Sequence, residues 1–197
     1  MKIVVSLCAA LLILALPSFG QGTWAVGVGG GGGVPIGDFS NASNFGIGGH
    51  AWVAYNADPN FAVTFKSGYL RFSGKEYKIV VQGVTATAKT NYGVIPILVG
   101  GRYYFMPSGD TRVYGAADVG MYSLNASADV TATGGGVSIS GSTSTTETKF
   151  GASPSLGVLI KAGEKMNVDI NGNFTYVATD IKSTTWIGFA IGLEFGL

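Results

Sequence analysis

The chain has 197 residues, of which 47% are hydrophobic and 12% charged, with a formal net charge of +1. Soluble domains carry about 25% charged residues, so much of this surface must face something other than water. A charge near zero argues against nucleic acid and acidic membrane surfaces as partners. Mean hydropathy is +0.36, yet no apolar run long enough for a spanning helix follows Leu16. The length fits one domain, and no linker divides it.

Residues 1–20 read as a cleaved secretory signal rather than a buried helix. Lys2 supplies the positive start, Ile3 to Leu16 the apolar run, Pro17 the break, and Ser18-Phe19-Gly20 small residues before a cut. The mature domain, 21–197, would begin at Gln21. Cys8, the only cysteine, would leave with the signal, so no disulfide, thiol nucleophile or thiolate metal site is expected, and no cofactor. Loss of Lys2 leaves eleven basic and eleven acidic residues.

Eight strands are expected, at 23–33, 45–55, 61–73, 92–105, 112–125, 149–161, 167–177 and 185–197. Most reach the roughly 9–11 residues a tilted strand needs to cross a bilayer. The first contains Gly29 to Gly33 and a formal G-x-G-x-x-G, but Val34-Pro35-Ile36 follows in place of a helix or a Gly-Lys-Ser/Thr. A bent strand is the better reading. The second carries His50, the sole histidine, on the same parity as Trp52 and so toward a lumen. A lone histidine without a nucleophile pattern or a second ligand marks neither a catalytic nor a metal site.

The third, fourth and seventh strands present Phe61, Val63 and Phe65; Ile95, Ile97, Val99, Tyr103 and Phe105; and Val168, Ile170, Phe174 and Tyr176 on one face. The eighth alternates Ile187, Phe189, Ile191, Leu193, Phe195 and Leu197 with Gly188, Ala190, Gly192, Glu194 and Gly196. Alternate side chains point to opposite faces. The opposite faces of the sixth and seventh strands are small or neutral-polar, as the interior of a narrow barrel requires. A soluble barrel would invert this pattern and need many more Lys and Glu outside.

Tight turns are expected at 56–60, 106–110 and 162–165, with longer loops at 34–44, 74–91 and 126–148 and a shorter one near 178–184. Short turns on one rim and long loops on the other define an outer-membrane barrel. The Ser/Thr/Gly-rich 126–148 segment reads as a mobile loop. Tyr55, Phe61, Tyr103, Phe105 and Phe195 cluster near the tight turns and the C-terminus, as a periplasmic-side aromatic girdle. Lys66, Arg102, Asp118, Asp169 and Glu194 share the inward parity. In an eight-strand circle Lys66 and Arg102 lie opposite Asp169 and Glu194, and unpaired charges there are costly, so a paired network plugging the lumen is expected. A gate in a small pore is the alternative.

The signal, the eight alternating strands, the Gly-Val-Pro-Ile-Gly-Asp-Phe stretch at 33–39 and the Gly-rich closing strand resemble the bacterial outer-membrane β-barrel domain family, which includes the small OmpA/OmpX-type barrels. The resemblance covers essentially the whole mature chain. It implies an all-β, eight-stranded antiparallel up-and-down transmembrane barrel in the outer membrane. Family members usually end in an aromatic residue; here Leu197 is last, and Phe195 on the same face would take that place. No peptidoglycan-binding segment follows, so no cell-wall tether is implied. The expected protein is a monomer without enzymatic activity. Its partners would be outer-membrane lipid and an extracellular ligand or surface met by the long loops, in a structural or adhesive role. A small pore, a lipid-modifying enzyme and a soluble ligand-binding barrel are the competing readings.

Overall fold

A computed structural model describes residues 22–81, 84–134, 137–179 and 183–197. The expected signal and the start at Gln21 lie outside the described residues. The strands are β1 (Thr23–Ile36), β2 (Ser43–Asn56), β3 (Phe61–Gly74), β4 (Glu76–Val81), β5 (Val84–Tyr104), β6 (Thr111–Gly134), β7 (Val137–Lys161), β8 (Met166–Val177) and β9 (Thr184–Gly196). One helical turn, α1 (Phe39–Ala42), lies between β1 and β2. Every pairing is antiparallel, each strand bonding its neighbour in sequence, except that β3 as well as β4 pairs with β5. The ring closes where β1 meets β9, from Ala25 opposite Gly196 to Ile36 opposite Thr185.

The barrel wall therefore has eight strands, β1, β2, β3 and β5 to β9, while β4 continues the β3 edge above it. Closure satisfies the backbone groups that an open edge would leave bare in lipid. The eighth strand's alternation is the pattern that lets this happen. Ile187, Phe189, Ile191, Leu193 and Phe195 are exposed on the outer surface, and Glu194 on the other face is buried. The same division holds for Phe61, Val63 and Phe65 on β3 and for Ile95, Ile97 and Val99 on β5. The outer surface is a continuous apolar band, as a bilayer requires.

Inside, the aromatic side chains lie over glycines of the next strand. Trp52 is opposite Gly27, Phe72 opposite Gly46, and Tyr114 opposite Gly157. A Cβ at any of the three glycines would fall into the facing ring. Glycine thus makes room for large lumen side chains in a barrel only eight strands wide. β1 keeps an unbroken register through its glycine run with both β2 and β9, so no bulge interrupts the strand. The glycines serve close approach: a Cβ on Gly31 would strike the Phe189 carbonyl oxygen.

The loops differ most from expectation. The 126–148 segment is not a mobile loop. It is the upper arms of β6 and β7, paired continuously from Asn125 opposite Thr146 to Gly134 opposite Val137. The 74–91 segment is likewise a hairpin, β4 with the start of β5, from Glu76 opposite Lys89 to Val81 opposite Val84. The β5 arm pairs with β6 from Thr85 opposite Thr133 to Tyr92 opposite Ala126. Four strands, β4 to β7, therefore continue beyond the last β7–β8 pair, Gly151 with Val177, as an outer sheet. The 34–44 connection folds inward: Gly37, at φ +59°, turns the chain into α1, which buries Phe39.

Candidate functional site: the packed lumen and the outer sheet

The inward faces of β3, β5, β6, β8 and β9 carry the expected charges, and the stagger of the strands decides which of them meet. Arg102 on β5 reaches both acids of the far wall. Its Nη1 donates to Glu194 Oε2 at 2.7 Å and its Nη2 to Asp169 Oδ2 at 3.2 Å. Arg102 is 3% exposed, and the two acids 1% each. Lys66 does not join them. Its Nζ sits 2.9 Å from Asp118 Oδ2, so the expectation that Lys66 faces Asp169 or Glu194 is corrected. β3 and β6 are two strands apart, and Lys66 spans the intervening β5 to reach the nearer acid.

The Arg102 group holds two carboxylates and one cation, so neutral donors complete the carboxylates' shells. Trp52 Nε1 donates to Glu194 Oε2 at 2.8 Å, Tyr114 Oη to Asp169 Oδ1 at 2.8 Å, and Asn171 Nδ2 to the same oxygen at 2.9 Å. The guanidinium lies 4.4 Å from the centre of the Tyr114 ring, a cation–π contact that strengthens away from water. On the Lys66 side, Thr64 Oγ1 donates to Asp118 Oδ1 at 3.0 Å. Buried ions held this way are costly to separate.

Above the charges the lumen becomes apolar. Phe72, Val94, Leu98, Tyr122, Val177 and Trp186 form one buried cluster, capped by Phe39. Phe39 meets the Phe72 ring edge-on at 5.1 Å and Tyr92 at 5.4 Å. Between charges and cluster a pocket of about 70 Å³ is lined by His50, Lys66, Tyr122 and Asn173 among others. His50 stacks on Trp52 with ring centres 5.2 Å apart.

The lumen aromatics were not singled out in the sequence, although the signal was there. Phe72 shares parity with Lys66, Tyr104 with Arg102, Tyr114 and Tyr122 with Asp118, and Trp186 with Glu194. Of the girdle residues, Phe61, Tyr103, Phe105 and Phe195 are exposed on the outer face. Tyr55 is a correction: it is buried, packed under Trp24 at 4.9 Å. Trp24, pairing directly with Tyr55 across β1 and β2, is the exposed aromatic there.

The outer sheet has two chemically distinct faces. The face continuing the lumen wall carries Tyr77 and Ile79 on β4, Ala86, Ala88 and Thr90 on β5, Ala126, Ala128, Val130 and Ala132 on β6, and Ile139, Thr143, Thr145 and Glu147 on β7. The reverse carries Glu76, Lys78 and Val80 on β4, Thr85, Thr87 and Lys89 on β5, Ser127, Asp129, Thr131 and Thr133 on β6, and on β7 Ser or Thr at every second position from Ser138 to Thr148. The strand alternation that marks a wall in the membrane is thus kept outside it.

A closed eight-strand ring with an apolar outer band, filled lumen and short turns at the end where β1 begins and β9 stops is a transmembrane β-barrel. The family model for the outer membrane protein beta-barrel domain matches residues 6–195, and the chain belongs to that family, in the bacterial outer membrane. It is similar in structure to the outer membrane protein OprG from Pseudomonas aeruginosa, with TM-score 0.60 and 10% identity over 90% of this chain and 96% of that one. Ail, the attachment invasion locus protein of Yersinia pestis, gives 0.50 and 10% over 90% and 99%. Neisserial surface protein A gives 0.50 and 13% over 88% and 95%. At these identities the likeness concerns the fold. No curated protein matches the sequence.

Proposed function

We propose that this protein is a monomeric, non-enzymatic outer-membrane barrel that carries no solute and meets a partner outside the cell through its outer sheet. The observation that carries the reading is that sheet. Four strands stand clear of the barrel, and the long β7 arm from Val137 to Thr148 is an edge beside β8, which joins only from Gly151. Sheet edges facing water are normally guarded by Lys, Pro or bulges. Val137 to Thr148 contains no Lys or Pro and keeps a continuous register with β6. Such an edge, with a Ser/Thr face beside it, is suited to holding another chain.

The lumen supports the same reading. Arg102 with its two acids fills the lower half, and Phe39 with Phe72 and Trp186 the upper, which leaves little room for a solute path. His50 lies against Trp52.

The test pairs two measurements. In planar bilayers the protein should give no stable conductance. A version with residues 127–144 replaced by a two-residue turn should insert normally, and cells displaying it should lose the adherence conferred by the full chain. Stable, uniform channels, or adherence untouched by the trimming, would overturn the proposal.

A further inference from the structure

Where the lumen gives way to the outer sheet, a hollow of about 200 Å³ remains. Phe39 closes it from the plug side. Tyr92 and Val94 of β5 and Leu124 and Ala126 of β6 form its walls. Register explains the convergence: Tyr92 is opposite Ala126, and Val94 opposite Leu124. β7 supplies the polar side, with Thr145 opposite Ala126 and Glu147 opposite Leu124.

A second observation points the same way. The face of the outer sheet above this hollow stays apolar where only water would meet it. Ile79 and Ile139 are 63% and 71% exposed; the reverse of β7 is Ser and Thr, while that of β4 carries Glu76 and Lys78 beside an exposed Val80. Exposed apolar surface of this kind marks a place where something binds. On β6 the face runs into the hollow through Ala128 and Ala126, flanked on β7 by Thr143 and Thr145.

We propose that the hollow is a binding site for a small aromatic molecule of one or two rings bearing a single hydrogen-bond donor. Size favours this class, since an apolar cavity of about 150 Å³ takes up benzene. Geometry favours it as well. Phe39 and Tyr92 are already edge to face, at 78° between their planes, and a third ring can join them in the offset or edge-on contacts that aromatics prefer. The Glu147 carboxylate, 3.6 Å from Lys149 Nζ, keeps lone pairs free for an N–H or O–H at the polar side. An alkyl chain would find the hollow too short, because Val94 and the Phe39–Phe72 pair close its floor. The site is independent of the partner-binding reading of the sheet edge.

The experiment titrates indole into the full barrel in phospholipid nanodiscs and follows the methyl resonances of Val94 and Leu124. Saturable shifts confined to those methyls are expected. Ala126→Leu, which fills the hollow, should weaken them at least about tenfold while the barrel keeps its heat-dependent gel mobility. Should that variant not insert, Leu124→Trp makes the test with the Val94 methyls alone as readout. Three results would overturn the proposal: non-saturating shifts spread over lipid-facing methyls such as Ile191, unchanged binding in the filled variant, or decanoate saturating the same methyls more tightly than indole.

Discussion

Arg102 shows how unequal the partners of one buried cluster are. It is the only cation bonded to Asp169 and Glu194 among the described residues. Arg102→Met should leave two carboxylates facing each other in the lumen and cost about 3–5 kcal/mol. Glu194→Gln should cost about 1 kcal/mol or less, because Arg102 keeps Asp169 and the amide oxygen can still accept from Trp52. Urea unfolding of the two variants in the same lipid would measure this, and equal losses would contradict the asymmetry. Strand alternation alone gives the inward direction of these side chains. Their partners depend on the stagger between strands, which no local pattern states. Lys66 therefore meets Asp118 rather than the acids across the ring. Tyr55 departs from the girdle for a related reason: its parity is outward, but Trp24 on the neighbouring strand covers it.

At the scale of elements, the wall strands are legible because lipid outside and packing inside impose opposite demands on successive residues. The β6 and β7 arms are harder to read. Their polar face is mostly Ser and Thr and the other face of β6 is largely alanine, so composition resembles a solvated loop although period-2 spacing persists from Ala126 to Ala132. β-branched threonine favours the extended backbone, and pairing across the hairpin adds what composition hides. It follows that tolerance to change is confined to the tip. An epitope inserted between Gly134 and Val137 should leave the barrel folded and accessible to antibody on intact cells. The same insert after Thr143, within the paired arm, should break the register and reduce the surface-exposed protein. Equal tolerance at both places would mean that the arms are not paired in the cell. α1 had no signal beyond Gly37 and Phe39, since a four-residue helix has no period to detect.

The molecule as a whole is held by its closure. β1 and β9 are the first and last described strands and also neighbours in the wall, so the apolar row of β9 both seals the ring and faces lipid. Ile191, opposite Gly30 on β1 and Ile170 on β8, stands mid-seam. Ile191→Arg should destabilise the barrel by about 2–4 kcal/mol if it lies near the bilayer midplane, read as an earlier loss of heat-resistant mobility on gels. A neutral result would place Ile191 away from the hydrocarbon.

The aromatic cluster capped by Phe39 also has an electrical meaning. A vestibule of about 540 Å³ opens at the end with the short turns and reaches Arg112, Asn167 and Glu194, whereas the opposite end is stopped by packed rings. If the lumen is closed as proposed, water and ions from the periplasm reach the Arg102 cluster and go no further, and the barrel is an insulated well with one mouth. A voltage across the outer membrane would fall mainly over the short apolar stretch from Leu98 to Phe39. Asn167→Cys should then react with a charged thiol reagent supplied from the periplasmic side, and stay unlabelled when the reagent is added to intact cells.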